Sequence, residues 1–409
     1  MPWKEVKPMD ERLRFIADYL NQYFTVTELC ERYNISRKTG YKWIERYIHS
    51  GPEALINRSR RPHRSPTRTP IGIEREILSL RSKHPSWGAR KLLWRMEKDH
   101  PDWKLPANST TSLILKKNGF VKKRRKSMKR FHPGKPFSPI TAPNDTWTTD
   151  FKGHFKTRDG IYCYPLTIAD EFSRYLLACD GLLSTKHPFA KPVFKRLFEM
   201  YGLPKRIRSD NGNPFATIAL GRLSRLSVWW IRLGIMPELI EPGHPEQNGI
   251  HERMHRTLKQ ETVIPPARNL KKQKERFDRF QNEYNDERPH EGIGMKPPSE
   301  IYQPSLRRMP KKLPQVEYPA HFEVRLVSAN CGIRWKDKGE RGRVCVSHLL
   351  AGEYVGLEEV DNGLWNVYFG PVWLGRLDER LMRIIDKKGN SQRTKRTKNH
   401  IKVLPMSLD

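Results

Sequence analysis

The chain has little cysteine, few acids and no long apolar run. Its 409 residues include five cysteines, Cys30, Cys163, Cys179, Cys331 and Cys345, scattered without a Cys-x-x-Cys pair. That spacing argues against a disulfide framework or a zinc ribbon and fits a reducing compartment. No stretch approaches the ~18 apolar residues that a membrane span needs, and the opening MPWKEVKPMDERLRF lacks the apolar core of a signal peptide. A soluble, intracellular protein is expected, and no internal repeat is evident. The 45 acidic residues face 77 Lys and Arg, a net charge of +32. Such an excess opposes a compact chain unless something neutralises it, and a phosphate backbone is the usual partner. Ribosomal and membrane-surface roles fit the charge alone, but here the basic residues cluster as well as predominate.

Length suggests several domains. Residues 1–57 read as helices. In TVTE, Thr25 has the form of a cap with Glu28 reaching back, and Val26, Leu29, Cys30 and Tyr33 form one apolar side. Ser36 caps a following helix, RKTGYKWIERYI, whose Ile44, Tyr47 and Ile48 are expected to point inward. Two short helices joined by a tight turn, the second carrying Arg37, Lys38 and Lys42, match a helix-turn-helix. An ordinary three-helix bundle with a solvated basic face has the same pattern.

Residues 58–70, NRSRRPHRSPTRTP with its neighbours, form a basic linker. Arg58, Arg60 and Arg61 there suit a minor groove or a solvated tether. Residues 71–121 form a second helical unit of winged-helix or helix-turn-helix kind, in which Gly119 marks a helix stop. The stretch Lys116 to Arg130 has nine basic residues and no acid, so 122–143, with Lys122, Lys123, Arg124 and Arg125, reads as a DNA-tracking linker. Residues 144–303 alternate strands (TWTTDFKG, YCYPLTIAD, YLLACDGLL, KRIRSD, MPELIE) with helices, an α/β layer with a mixed sheet. Residues 321–385 are β-rich, with a hairpin turning at Asn362-Gly363 and Trp365, Val367 and Phe369 on one face; several such strands suggest a small barrel, SH3-like by analogy. Residues 386–409 form a basic tail.

Three acids stand out by position. Asp150 lies in a predicted strand, Asp210 ends another just before Asn211-Gly212, and Glu252 lies early in a helix entered through Pro245 and Gly249. Any one alone has a plain explanation; Asp-Asn-Gly is ordinary turn chemistry. Functional groups in open α/β sheets gather at strand ends, however, so the three can converge on one edge. Converging carboxylates repel unless cations sit among them, and hard oxygen ligands suit Mg²⁺ or Mn²⁺. Two such ions ~3.5–4 Å apart clamp the attacking and leaving oxygens of a phosphodiester.

TWTTDFKG, RSDNGNPF and GHPEQNGIHERMHRTLK, with YNDERPHEGIGMKPPSEIY behind them, resemble the catalytic core of insertion-sequence transposases of the retroviral-integrase-like, Asp-Asp-Glu type. The resemblance covers residues 144–302 closely and extends upstream more weakly. It implies a ribonuclease-H-like core in which Asp150, Asp210 and Glu252 are the catalytic, metal-binding acids, holding two Mg²⁺ or Mn²⁺ ions. By the same resemblance Arg256 and Lys259 contact the DNA end, and Asn248 and Gly249 form the tight turn before the helix. Its further implications are double-stranded DNA partners (terminal inverted repeats and target), at least a dimer on DNA, and a bacterial cytoplasmic, nucleoid-associated setting. Two features depart from retroviral integrases. The gap of 41 residues between Asp210 and Glu252 is a little longer, and helix-turn-helix units stand where those proteins have a zinc-binding domain.

The same helix carries a competing motif. HERMH, His251 to His255, is formally His-Glu-x-x-His, the pattern of zinc metalloproteases, with both imidazoles on one helix side. It leaves the basic front end, Asp150 and Asp210 unexplained, and no third ligand is evident; Glu261 and Glu275 are candidates without a supporting pattern. The remaining histidines, including His244 and His290, read as structural or substrate-contacting. A different alternative is a DNA-binding protein that keeps the fold without catalysis.

Overall fold

The computed structural model describes residues 8–57, 68–121, 137–241, 244–335 and 342–386. The basic positions Arg58, Arg60, Arg61, Lys122, Lys123, Arg124 and Arg125, and the tail beyond residue 386, lie outside them. The chain divides into two compact units, residues 1–69 and 70–409. No helix among the described residues is long and apolar enough to cross a membrane.

The first unit is helical: α1 (Pro8–Leu20), α2 (Val26–Arg32) and α3 (Arg37–Ser50). Both expected caps form. The Glu28 amide donates to Thr25 Oγ1 at 3.3 Å while the Thr25 amide donates to Glu28 Oε2 at 2.7 Å, and Ser36 Oγ accepts from the Thr39 amide. Phe15, Ile16, Leu29, Cys30, Trp43, Ile44 and Leu55 fill the core. The chain crosses tightly there, since a Cβ on Gly40 would lie 2.5 Å from Cys30 Sγ. Ile48 corrects the expectation: it is exposed, because the buried stripe of α3 runs through Gly40, Trp43, Ile44 and Tyr47 and the last turn falls past its edge. Thr25→Ala is expected to weaken this unit by about 1 kcal/mol, roughly a fivefold faster hydrogen exchange at the Leu29 amide, with Thr25→Ser close to wild type.

The second unit begins with three helices, α4 (Ile71–Lys83), α5 (Ala89–Asp99) and α6 (Asn108–Lys117), around Ile77, Trp87, Leu92 and Met96. A mixed sheet follows, made of β1 (Thr146–Phe151), β2 (Phe155–Lys156), β3 (Tyr162–Asp170), β4 (Leu176–Leu182), β5 (Arg206–Ser209) and β6 (Met236–Leu239). Its order is β2-β3-β1-β5-β6 with β4 on β3; β1, β5 and β6 run parallel, whereas β3 is antiparallel to β1 and β4.

Period-two alternation divides the side chains of β1 between two apolar layers. On one face Trp147 and Phe151 join α7 (His187–Tyr201) and α8 (Arg225–Arg232). The opposite face is covered by α9 (Gly249–Leu258) and α10 (Leu270–Asn282), with Met254, Leu258, Phe277 and Phe280 buried against Cys163 and Cys179. The early helices are tied to the segment after α10 by polar contacts: His84 Nδ1 meets Glu283 Oε1 at 2.6 Å, Arg288 donates to Ser86 Oγ at 2.9 Å, and Lys98 pairs with Glu300 at 3.0 Å.

The C-terminal part is all β. Strands β7 (Glu323–Leu326), β10 (Tyr354–Asp361), β11 (Leu364–Phe369), β12 (Val372–Asp378) and β13 (Arg383–Ile385) form an antiparallel sheet in the order β13-β12-β11-β10-β7. The ribbon β8 (Gly332–Arg334) and β9 (Arg343–Cys345) shares its core, and Trp365, Val367 and Phe369 point inward as the hairpin pattern predicts. Helix α8 is buried on every side from Leu226 to Ile231 and serves two cores. Leu226, Trp229 and Trp230 face the mixed sheet, whereas Val228 and Ile231, with Leu220 and Leu223 just before the helix, join the β-domain core. Beside this seam Arg232 pairs with Glu353 at 2.6 Å.

Candidate active site

Strands β1 and β5 run parallel with Thr149 opposite Ser209, so Asp150 and Asp210 are the next residues at the carboxyl ends of adjacent strands. Alternation puts Asp150 on the same face as Thr148, toward α9, and Asp210 on the same face as Arg208. The turn after β5 holds its acid. The Gly212 amide donates to Asp210 Oδ1 at 3.1 Å, and Asn211 Nδ2 donates to the Ile240 carbonyl at 2.7 Å. Gly212 is required by space rather than by a left-handed backbone, since its φ is not positive and a Cβ there would stand 2.9 Å from Asp210 Oδ2.

Both carboxylates are unfavourable as anions where they stand. Burial, then the charge of Asp210, pushes the Asp150 carboxyl up to about 8, and Glu252 adds to this against the opposing pull of Lys152. Burial also raises Asp210, with the Gly212 amide opposing. Glu252 lies in the first turn of α9, exposed to solvent. Among the described residues no three His, Cys, Asp or Glu side chains stand close enough to hold one ion. The structure therefore brings Asp150 and Asp210 together and leaves Glu252 at the rim, near enough for its charge to act on Asp150.

Arg256 is exposed and Lys259 half-buried, one and two turns beyond Glu252. In the first unit Arg37, Lys38 and Lys42 lie exposed with Tyr41 along one side of α3, and Lys42 Nζ sits 4.3 Å from the centre of the Trp43 ring.

Two features at the site escape a reading of the sequence. Arg208, almost wholly buried two residues before Asp210, pairs with Glu171 at 2.5 Å and Glu238 at 2.7 Å and lies over the Phe137 ring. Alternation in KRIRSD places Arg208 inward, but its two partners come from distant segments. The second is the histidine pair of HERMH. Both imidazoles are buried, and the Nε2 atoms of His251 and His255 each lie 2.6 Å from Thr167 Oγ1. They face the sheet and meet hydroxyls, whereas Glu252 points out to solvent. Burial holds His251 at about 3 and lowers His255 well below the usual imidazole range, so both are neutral.

Similarity to known proteins extends over most of the chain. An integrase core domain model matches residues 140–245 and a second integrase core domain model matches 233–298. A helix-turn-helix domain matches residues 11–63 and a homeodomain-like domain matches 39–115. The protein of insertion element IS476 from Xanthomonas euvesicatoria is 25% identical over 248 residues, 58% of this chain and 66% of that protein. The protein of insertion element IS407 from Burkholderia multivorans is 25% identical over 168 residues, 39% of this chain and 56% of its own length. The Gag-Pol polyprotein of baboon endogenous virus is 35% identical over 118 residues, 29% of this chain but 6% of the polyprotein. The chain thus spans about two thirds or less of each of these relatives.

Among solved structures, the HTLV-2 integrase catalytic core domain in complex with magnesium overlays with a TM-score of 0.30 at 18% identity, covering 39% of this chain and 97% of that one. A simian T-cell lymphotropic virus intasome chain overlays at 0.35 with 15% identity, covering 73% and 97%. Overlays this loose say nothing about the site. The domain matches and the insertion-element relatives agree: the chain carries an integrase-like core preceded by helix-turn-helix domains, and is similar to proteins of insertion elements.

Proposed function

We propose that the protein binds the terminal inverted repeats of an insertion sequence, cuts the DNA strand at each end, and joins the freed 3′ hydroxyl to target DNA. The observation that carries this reading is the pair of carboxylates at the ends of β1 and β5, side by side and each raised by its surroundings. Oxygen donors of this kind suit Mg²⁺ or Mn²⁺. Asp150 and Asp210 would hold two such ions, with Glu252 completing the set by turning inward from the rim. When bound, the ions supply charge neutralisation and Lewis-acid activation for an in-line displacement at phosphorus.

The chain's own residues do the rest. Asp150 and Asp210 fix where the scissile phosphate sits, at the carboxyl ends of the strands. The exposed side of α3 with Arg37, Lys38 and Lys42 selects the repeat, and Arg256 and Lys259 guide the DNA end past Glu252. The linker residues Arg58, Arg60, Arg61, Lys122, Lys123, Arg124 and Arg125 track phosphates between domains. Joining two ends in concert requires at least a dimer on DNA, in the bacterial cytoplasm at the nucleoid. Affinity should fall steeply with salt, because many phosphates are neutralised.

The exposed position of Glu252 supports a second reading, a DNA-binding protein that performs no chemistry. Supercoiled DNA carrying both element ends separates the two. The catalytic reading expects nicks at the element ends and joined products with Mg²⁺ or Mn²⁺, and none with EDTA. A protein that retards repeat DNA but nicks it with neither ion is the binding module alone.

A further inference from the structure

The His251–Met254–His255 face of α9 has no part in the proposed chemistry, yet it carries a densely bonded buried polar group. Thr167, in β3 opposite Asp150, places its hydroxyl 3.1 Å from the Asp150 carbonyl and 2.6 Å from Nε2 of both His251 and His255. Thr148, two residues before Asp150, places its hydroxyl 3.1 Å from His251 Nδ1. The other nitrogen of His255 lies 3.6 Å from Asp150 Oδ2. The two rings stand edge to face, 4.5 Å apart.

A hydroxyl donates one proton and accepts two. One assignment satisfies these four hydrogen bonds, with the Ala169 carbonyl, 3.3 Å from Thr148 Oγ1, as the other acceptor open to the Thr148 proton. Thr167 donates to the Asp150 carbonyl and accepts Nε2–H from both histidines, and His251 Nδ1 then accepts the Thr148 proton. Together these links join α9 to the strand pair β1–β3 at Asp150. Residues 251 and 255 share one side of the helix, and Glu252 lies about 100° round from His251, so the orientation of the histidine face sets where Glu252 points.

We propose that His251, His255, Thr167 and Thr148 form a positioning clamp that fixes the Glu252-bearing helix against the Asp150 strand. The four are positioning residues, and all are buried. This assigns HERMH a structural purpose of its own: the helix is held by its histidines, which sets the direction in which Glu252 projects. The clamp rests on the proposed roles of Asp150 and Glu252 for its purpose, but its existence as a helix anchor is independent of them.

Thr167→Val is the test, because it keeps the β-branched shape and removes the hydroxyl, leaving two buried N–H groups without an acceptor. In the whole chain without metal, amide exchange in α9 should rise about ten- to a hundredfold, with β4 and α7 little changed, and Thr167→Ser should restore it. With repeat DNA, the Mg²⁺ concentration for half-maximal cleavage should rise by about the same factor, while DNA affinity in EDTA stays within about twofold. Unchanged exchange in α9, a uniform rise across the whole core, or failure of Thr167→Ser to restore protection would each overturn the clamp. If the wild-type protein cleaves no DNA at all, the catalytic reading fails, and the exchange result still decides the clamp by itself.

Discussion

Asp150→Asn is expected to abolish Mg²⁺-dependent strand cleavage and, in the same protein without metal, to raise stability. On the proposed chemistry the loss is at least about a thousandfold, or about 4 kcal/mol of activation energy, because a neutral amide is a poor partner for a hard cation. The gain in stability follows from linkage. The Asp150 carboxyl has its ordinary value near 3.8 in the unfolded chain and is pushed up to about 8 in the fold by burial and by Asp210. The folded state therefore favours the protonated acid. Its stability is full below pH 4 and falls as pH rises through the window from about 4 to 8. Asparagine removes that loss.

Urea unfolding in EDTA should show Asp150→Asn gaining on the order of a few kcal/mol at pH 8 and close to nothing at pH 4. Added Mg²⁺ should stabilise the wild type and leave the variant unmoved. A variant that is less stable than wild type at pH 8 would contradict the electrostatic description of the site. A variant that still cuts DNA would remove Asp150 from the chemistry.

The second large effect lies beneath Asp210. Arg208→Met should destabilise the second unit by about 3–5 kcal/mol near neutral pH, because breaking a buried ion group leaves uncompensated charge behind. Glu171 and Glu238 both lose their cation. Burial already raises the Glu171 carboxyl, with Arg208 opposing, so removing Arg208 lets it rise further. A raised acid contributes stability that is present below its unfolded value and lost as pH rises. The deficit of Arg208→Met should therefore be largest at pH 7 to 8 and shrink toward pH 4.5. The triple variant Arg208→Met, Glu171→Gln, Glu238→Gln should recover most of it. Equal deficits at pH 4.5 and pH 8, measured by urea unfolding, would point to lost packing against Phe137 rather than to charge.

Where local chemistry dictates the fold, the amino-acid sequence alone is enough to see it. Thr25 with Glu28, Ser36, Gly119 and Asn362-Gly363 each act within a few residues of themselves, and each occupies the expected cap, stop or turn. The strand position of Asp150 and the end-of-strand position of Asp210 follow from the same short-range patterns. What stays hidden depends on pairing across the chain. The partners of Arg208 come from segments 37 and 30 residues away. The histidines of HERMH are hydroxyl-bound because Thr167, 84 residues from His251 in sequence, faces them from the sheet. A five-residue pattern contains no information about that neighbour, which is why a zinc motif and a buried anchor share the same letters. Gly212 does belong to a turn, as Asp-Asn-Gly implies, but its constraint is the nearby carboxylate and not the sign of φ.

Helix α8 bears on how this molecule can be divided. The boundary between the mixed-sheet layer and the β-domain looks, in sequence, like a natural place to cut. Yet Val228 and Ile231 lie under the β-strands, and a Cβ on Gly370 would come within 2.7 Å of Ile231. A fragment ending near residue 310 would keep α8 but strip one side of it, turning a shared interior wall into a greasy outer surface beside an unpaired Arg232. Such a fragment would be sticky rather than minimal. The smallest well-behaved piece containing Asp150 and Asp210 therefore includes the C-terminal strands, and soluble excision of the core alone would call for polar replacements at Val228 and Ile231.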